Sequence, residues 1–250
     1  MESIIASEPE AKTGGFTVEN QIKWLGHSAF EITTAGKKRV LIDPWITGNP
    51  LSPLQVKDLE APDLILVTHD HHDHYGTDLP ALLASGSGML AAQPEVAARA
   101  QKEGVSADNI VSGGSGMNIG GTVEIGEIKI TMTQAVHSSE EAGSPCGFII
   151  TLEDGTVVYH AGDTGIFSSM GLFSELYEID VALVPIGSVF VMDPRQAALA
   201  LKLLRPKFAV PMHYKTFPVL EQNADQFVRL AKEKAPSVEV KVLEPGEILR

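Results

Sequence analysis

Residues 68–76 read Thr-His-Asp-His-His-Asp-His-Tyr-Gly, which places four histidines and two aspartates in six consecutive positions. The stretch directly follows Asp63–Val67, an apolar segment that is typical of a buried strand. Ligand residues at the carboxyl end of such a strand lie where α/β architectures expose their chemistry. Because imidazole and carboxylate groups bind zinc, manganese and iron, the stretch predicts a metal site rather than a solvated polar loop.

The spacing within this stretch indicates which side chains act together. It contains His69-x-His71-x-Asp73-His74, which follows the pattern HxHxDH. In an extended segment His69 and His71 point to the same side and can bind one ion. After a turn, Asp73 and His74 can face a second ion beside the first.

Composition limits the classes of partner. The chain has 250 residues, 44% of them hydrophobic, and a formal net charge of -13. This acidity argues against nucleic acid as the main partner, because phosphate contacts need a basic surface, although a small anionic substrate remains compatible with a metal site. The single cysteine, Cys146, suits a reducing compartment, and no apolar run has the length of a membrane span. We therefore expect a cytoplasmic enzyme that acts on a small molecule, without nucleic-acid or membrane partners.

The first 18 residues mix charged residues, proline and glycine without the basic start and apolar centre of a signal peptide. We predict that residues 1–18 form a flexible extension and that residues 19–250 form a single domain.

Strand-like segments recur in the same order in two halves of the chain. Those of the first half are Ile22–His27, Ala29–Thr33 and Lys38–Asp43, and those of the second are Ile128–His137, Cys146–Leu152 and Thr156–Asp163. Each half continues with another apolar strand, Leu64–Val67 or Val181–Val184, and then a helix. Two sheets packed face to face with helices outside would bury all these apolar faces. The pattern thus predicts an α/β (α+β) fold, a four-layer αββα sandwich of two pseudo-repeated halves.

Helical spacing of apolar residues appears in three segments, and one more strand follows them. The predicted helices are Pro94–Glu103, Pro194–Leu204 after an Asp193 cap, and Leu220–Lys234. A final strand is predicted at Ser237–Leu243.

The pseudo-repeat pairs particular residues. His27 corresponds to His137, Asp43 corresponds to Asp163, and the His69 stretch corresponds to the segment at Gly187-Ser188. One half therefore kept a ligand loop that the other half lacks.

Three further metal-competent side chains lie at predicted strand ends. His137 ends the first strand of the second half, Asp163 lies in Gly162-Asp163-Thr164-Gly165, and His213 follows the apolar segment Phe208–Met212. Their positions downstream of the HxHxDH stretch indicate convergence on one site.

The order HxHxDH, His, Asp, His resembles the metallo-β-lactamase superfamily from about residue 21 onward. The resemblance implies that His69, His71 and His137 hold a first ion, that Asp73, His74 and His213 hold a second, and that Asp163 bridges both. Further segments look like the uncharacterised metal-dependent hydrolases close to the L-ascorbate-6-phosphate lactonase-like branch: Trp24–Phe30, Leu41–Pro44, Thr47–Pro50, His160–Thr164 and Pro211–Tyr214. The Gly-His-Thr-Pro-Gly segment of glyoxalase II is missing, because Ser-Ser follows His137.

The remaining polar residues divide into several roles. His27 is either a strand-capping core histidine or a group at the mouth of the site that touches the substrate, so the candidate catalytic residues are Asp73 and His27. His72 is expected to face solvent, and His160 to be structural or to support the ligands. Asp43 and Asp70 are candidate partners for the second ring nitrogen of ligand histidines.

These observations predict a hydrolase with two divalent metal ions, zinc being favoured and manganese, nickel or iron remaining alternatives. A water activated by both ions would attack an ester, lactone or phosphodiester of a small, optionally phosphorylated substrate. Lys215 and Arg195 are candidate phosphate contacts. The rival interpretations are a di-iron redox protein and a non-catalytic metal-binding scaffold, and the resemblance also allows for a homo-oligomer.

Overall fold

The computed structural model describes residues 20–84 and 86–249. The predicted extension, residues 1–18, lies outside the described residues.

Two mixed β-sheets form the centre of the described part of the chain. The strands of the first sheet are β1 Gln21–Trp24, β2 Phe30–Thr33, β3 Arg39–Ile42, β4 Leu64–Leu66, β5 Met89–Ala91 and β13 Ile248–Leu249. The strands of the second sheet are β6 Thr122–Ile125, β7 Ile128–Gln134, β8 Cys146–Thr151, β9 Val157–His160, β10 Val181–Pro185, β11 Phe208–Met212 and β12 Glu239–Val240. The spatial orders are β13-β1-β2-β3-β4-β5 and β12-β11-β10-β9-β8-β7-β6.

Helices cover the outer faces of both sheets, which confirms the predicted αββα sandwich. The helices are α1 His72–Tyr75, α2 Leu79–Ala84, α3 Pro94–Lys102, α4 Met170–Leu176, α5 Pro194–Leu204 and α6 Asp225–Lys234. Alternation along β3 shows how the layers form, because Val40 and Ile42 join the core between the sheets, whereas Leu41 packs with Leu79 and Leu83 of α2.

The duplication is visible in the strand pairing. From β1 to β5, neighbouring strands pair antiparallel, antiparallel, parallel and parallel. The pairs from β7 to β11 follow the same order. His27 and His137 each lie three residues after the first strand of their half. The predicted pseudo-repeat is therefore confirmed.

Two predicted boundaries are wrong. The helix predicted from Leu220 begins only at Asp225, because Leu220 closes a turn onto the carbonyl oxygen of Phe217 and the Asn223 side chain accepts the Asp225 N–H. The predicted final strand shrinks to the two residues of β12. The last strand of the described chain is β13, which pairs antiparallel with β1. Its sequence is too short to show periodicity.

Candidate metal centre

The predicted ligands come from separate strand ends and meet at one end of the sandwich. His69 and His71 follow β4, and Asp73 and His74 lie in the short helix α1. The remaining predicted ligands, from the second sheet, are His137 after β7, Asp163 after β9 and His213 directly after β11. The structure thus brings together all seven residues, although their assignment as ligands stays a prediction.

The three histidines predicted for the first ion form one cluster. One ring nitrogen from each of His69, His71 and His137 lies within 4.8 Å of the others. Nε2 of His69 and Nδ1 of His71 are 2.9 Å apart. Such a set of neighbouring imidazoles suits zinc, which binds three histidines in many hydrolytic sites.

The residues predicted for the second ion form a neighbouring cluster, and this cluster includes His27. Ligand atoms of His27, Asp73, His74 and His213 all lie within 4.8 Å of one another. Nε2 of His27 is 3.2 Å from Oδ2 of Asp73. His27 is fully buried, which agrees with the alternative of a core histidine at a strand end and not with a position at the mouth of the site.

Asp163 lies between the two clusters. Its Oδ1 is 3.2 Å from Nε2 of His74, and its Oδ2 is 2.9 Å from Nε2 of His213 and 3.6 Å from Nε2 of His137. The preceding Gly162 allows this approach, because a Cβ there would collide with the carbonyl oxygen of Cys146. This position is the one expected of a carboxylate that bridges two ions.

The predicted partner Asp43 orients the ligands that lie around it. It accepts hydrogen bonds from Nδ1 of His74 at 2.7 Å and from the hydroxyl and N–H of Thr68. Because the Thr68 hydroxyl donates to Asp43, it accepts from Nδ1 of His69 at 2.9 Å. His69 is therefore protonated at Nδ1 and turns the lone pair of Nε2 toward the site, and the Nδ1 hydrogen bond of His74 to Asp43 turns Nε2 of His74 toward the site as well.

The other predicted partner, Asp70, has a different role. Its carboxylate accepts the backbone N–H groups of Glu140, Glu141 and Ala142 and lies 3.9 Å from the guanidinium of Arg99. Asp70 thus holds the loop that follows His137 rather than a ring of a ligand histidine. Its carboxylate connects the two halves of the molecule, since it belongs to the ligand stretch of the first half.

Strained backbone surrounds the site. His27, Asp43 and His213 have φ angles of 56°, 45° and 56°, in the left-handed region. Histidine and aspartate tolerate this region better than most residues, but each such residue still costs on the order of 1 kcal/mol. Such strain clusters at functional sites, where the neighbouring structure holds it.

Electrostatics favour neutral rings for His27 and His69, whereas the carboxylates of Asp163 and Asp43 raise the pKa of His74 well above its usual range although its burial opposes this. Burial, reinforced by the neighbouring His213, lowers the pKa of His27 to about 3. Burial also lowers the pKa of His69 well below its usual range. Burial opposes ionisation of Asp163, yet His213 and His74 hold the pKa of its carboxyl well below normal. Deprotonated imidazole and carboxylate are the forms that bind metal ions.

Several buried atoms in the site lack hydrogen-bond partners, which tests whether metal ions fit. Nε2 of His27, Nε2 of His74 and Oδ1 of Asp163 are buried without such a partner. A buried polar atom left unpaired costs about 1–3 kcal/mol. A cation between these lone pairs and carboxylates would satisfy them, so the donor set fits divalent metal ions.

A cavity of about 420 Å³ opens onto the clusters. The predicted ligands that line it are His71, Asp73, His137, Asp163 and His213. The other lining residues are His72, Ser138, Glu140, Phe190 and Phe217. Within the described residues, the lining thus combines two phenyl rings with imidazole and acidic groups and contains neither lysine nor arginine.

The predicted phosphate contacts are engaged elsewhere. Lys215 pairs with Glu244 at 3.0 Å, and Arg195 pairs with Asp193, the cap of α5.

The two histidines outside the clusters lie as expected. His72 is exposed. His160 is buried, as a structural or supporting role requires, and its Nε2 lies 3.0 Å from the carbonyl oxygen of Ser28.

Sequence reasoning missed several residues of this site. Thr68 fixes the His69 tautomer, and Thr216 lies 2.9 Å from Nδ1 of His27. Phe190 and Phe217 form the apolar wall. Thr68 could have been found from its place at the strand end before His69, whereas loop residues such as Phe217 carry no pattern in the sequence.

None of the helices in the described part of the chain has the length and apolarity to cross a membrane.

Comparison with known proteins defines the class of the molecule first. Residues 38–214 match the family described as "Beta-lactamase superfamily domain". The fold agrees with that description, and the matched segment contains strands β3 to β11 and all seven predicted ligands.

Curated relatives then narrow the family. The chain is 49% identical to a UPF0173 metal-dependent hydrolase of Nitratidesulfovibrio vulgaris (strain DP4), covering 93% of this chain and 95% of the relative. It is 47% identical to a UPF0173 metal-dependent hydrolase of Pyrobaculum islandicum, covering 92% of this chain and 99% of the relative. The chain therefore belongs to the UPF0173 family of metal-dependent hydrolases within the metallo-β-lactamase superfamily.

A solved structure supports the same conclusion. Igni18, a metallo hydrolase from the hyperthermophilic archaeon Ignicoccus hospitalis KIN4/I, superimposes with a TM-score of 0.82 at 39% identity and covers 92% of this chain and 97% of its own. The protein is thus a metal-dependent hydrolase, as the sequence analysis predicted.

Proposed function

We propose that the protein hydrolyses the ester or lactone bond of a small substrate with an uncharged, apolar group, at a site that binds two divalent metal ions. The observation that carries the substrate class is the lining of the cavity, where Phe190 and Phe217 stand beside the predicted ligands and the described residues contribute neither lysine nor arginine. Phosphate groups in proteins are normally bound by such cations.

The proposed ligand sets follow the two clusters. His69, His71 and His137 would hold the first ion, whereas Asp73, His74 and His213 would hold the second, with Asp163 shared. Zinc is the favoured metal because of the histidine-rich first set. Divalent ions held there would supply Lewis acidity that polarises a carbonyl oxygen and lowers the pKa of a water molecule toward neutrality.

The protein side chains position the reaction. Asp73 lines the cavity, so its carboxylate can accept a hydrogen bond from the attacking water and orient it. Asp43 keeps His74 in one tautomer and orientation. Asp70 holds the loop at Glu140–Ala142, which carries the cavity residue Glu140.

The apolar wall would bind the substrate. Phe217 stacks on Trp45 with ring centroids 6.1 Å apart and an interplanar angle of 23°, which fixes its ring beside the cavity. Phe190 is 55% exposed and can close over an apolar group. Glu140, together with the acidity of the chain, would disfavour an anionic substrate entering from solvent.

The test uses protein stripped with a chelator and then reloaded with zinc or manganese. We expect metal-dependent hydrolysis of an aromatic ester or lactone, with a kcat/KM above that of a generic phosphodiester and of a sugar-phosphate lactone. Phe217→Ala should raise KM for the aromatic ester about tenfold, because one apolar contact of roughly 1.5 kcal/mol is lost.

Leu172→Ala is the matched control, since Leu172 is an exposed apolar residue on α4 that does not line the cavity. Its KM should equal that of the wild type. Turnover restricted to the phosphodiester or to the sugar-phosphate lactone would contradict the proposed substrate class.

A further inference from the structure

His27 is buried beside the second cluster, in a role that the sequence left open. It follows β1, at the position that His137 occupies after β7 in the other half. Its side chain is fully buried, and it does not line the cavity, whereas its neighbours Asp73 and His213 do. A direct contact with substrate therefore does not fit its position.

The hydrogen bonds of Thr216 determine the tautomer of His27. The hydroxyl of Thr216 donates to the carbonyl oxygen of Tyr214 at 3.2 Å, so its oxygen is free to accept from Nδ1 of His27 at 2.9 Å. Nδ1 of His27 consequently carries the ring proton, and Nε2 carries a lone pair.

That lone pair faces other acceptors. Nε2 of His27 lies 3.2 Å from Oδ2 of Asp73, and it has no hydrogen-bond partner. In the same cluster, Nδ1 of His74 pairs with Asp43, so that Nε2 of His74 faces the site, 3.2 Å from Oδ1 of Asp163. An imidazole lone pair that faces a carboxylate oxygen at 3.2 Å is unfavourable in a buried site unless a cation lies between them.

We propose that His27 is a fourth ligand of the second metal ion, in addition to Asp73, His74 and His213. The inference rests on the two-ion site of the proposed function and deepens it. The backbone supports the assignment, because the carbonyl oxygen of His27 accepts hydrogen bonds from the Trp24 indole and from the N–H of His213. These bonds hold the residue in its left-handed conformation with the ring aimed at the cluster.

The consequence is that the two ions differ in the number of protein ligands. With Asp163 shared, the second ion has five ligand residues and the first ion has four, His69, His71, His137 and Asp163. Catalytic metal sites keep a position open for water or substrate. The first ion is therefore the one that has more room for the substrate oxygen. The second ion, with more nitrogen and oxygen ligands, suits metals that accept high coordination numbers, such as manganese, iron or nickel.

The test compares metal binding in the wild type and in two substitutions of His27. His27→Asn removes the atom that reaches the cluster, and asparagine tolerates the positive φ angle. His27→Gln places an amide atom near the position of Nε2 and serves as the conservative rescue. Titration of the chelated proteins with Co²⁺, followed by absorption and by metal analysis, reports stoichiometry, affinity and coordination together.

We expect the wild type to bind two equivalents. His27→Asn should bind the first equivalent normally and the second more weakly by more than roughly 100-fold, which exceeds the loss caused by removing a residue that only supports a ligand. The absorption of the more weakly bound Co²⁺ should intensify, because fewer ligands surround it, and His27→Gln should recover part of the affinity. Thr216→Val, which removes only the supporting hydrogen bond, should weaken the second equivalent within the range of about 10- to 100-fold.

Circular dichroism of the chelated proteins verifies that each variant is folded. Equal binding of both equivalents by His27→Asn and the wild type would overturn the ligand role of His27 while leaving the two-ion site intact. An equal loss of affinity for both equivalents would also overturn it, because that result indicates a general packing role. A wild type that binds only one equivalent would contradict the two-ion proposal itself and this inference with it.

Discussion

The two halves of the molecule share a topology but use equivalent positions differently. In the first half Asp43 comes one residue after β3, and in the second half Asp163 comes three residues after β9. Asp43 stays behind the ligands, where it binds His74 and Thr68. Asp163 reaches between the two clusters, because the additional Ala161-Gly162 carries it further into the site. A short extension of one strand end thus separates a carboxylate behind the predicted ligands from the carboxylate that we propose to bridge the two ions.

The ligand loops differ in the same way. After β4 the first half continues into the HxHxDH stretch, whereas after β10 the second half continues into Gly187-Ser188. Gly187 packs so closely on His213 that a Cβ there would collide with its carbonyl oxygen. The second half therefore gives up its own ligand loop, and the space is used by His213. The site is asymmetric although the halves that build it are alike.

Substitution of Asp163 should have the largest effect. Asp163→Asn keeps the shape of the side chain but removes the negative charge that His74, His137 and His213 surround. We expect kcat/KM for the aromatic ester to fall by more than about 100-fold, beyond the loss expected for a supporting residue. Metal analysis should show that fewer than two ions remain bound. Undiminished turnover with both ions retained would refute the bridging role.

The equivalent change in the other half should have a smaller effect. Asp43→Asn places an amide N–H₂ or a weaker acceptor against the donors of His74 and Thr68. Because Asp43 only orients ligands, affinity for metal should fall by roughly 10- to 100-fold, measured by competition with a chelator. The positive φ of Asp43 is tolerated by asparagine, so the chelated variant should remain folded. If Asp43→Asn matched Asp163→Asn in severity, the distinction between the two carboxylates would be wrong.

Much of this arrangement could be predicted from the sequence, because strand ends and ligand types leave local signals. The stretch from His69 to His74 follows a buried strand, and the repeated order of strand, His, strand and Asp predicted the duplication that pairs His27 with His137. The helix α5 was predicted with its Asp193 cap, which accepts the N–H groups of Arg195 and Gln196. In each case the pattern can be read along the chain without knowing which distant residues are in contact.

Other features depend on contacts between residues distant in the chain. The hydrogen bonds of Asp70 to the loop at Glu140–Ala142 have no sequence signature. The burial of His27 depends on Trp45 and Phe217, which pack around its ring. Lys215 and Arg195 looked available for phosphate, but each has a nearby carboxylate partner. Proximity in the chain to predicted site loops therefore did not predict which residues face the cavity.

A third difference between the halves concerns the last residue of β3 and of β9. Both positions are fully buried, but β3 ends in the apolar Ile42 and β9 ends in the polar His160. Nδ1 of His160 accepts the N–H of Gly162, so Nε2 carries the proton and donates to the carbonyl oxygen of Ser28 in the other half. Burial lowers the pKa of His160 below its usual 6.5. Only the neutral ring can make both hydrogen bonds, which agrees with this direction.

His160 should therefore add a small pH dependence to stability. Below about pH 6.5 the unfolded chain binds a proton at His160 that the folded protein refuses, so its contribution to stability is present above that pH and is lost as pH falls, by up to about 1.4 kcal/mol per unit. Urea unfolding of chelated protein near pH 7 and about pH 5.5 should show a loss for the wild type that exceeds the loss for His160→Gln by up to roughly 1 kcal/mol. The other histidines are present in both proteins and cancel in this difference. An equal loss in the wild type and His160→Gln would mean that folded His160 takes up the proton as readily as the unfolded chain, and the hydrogen bond between the halves would then not depend on a neutral ring.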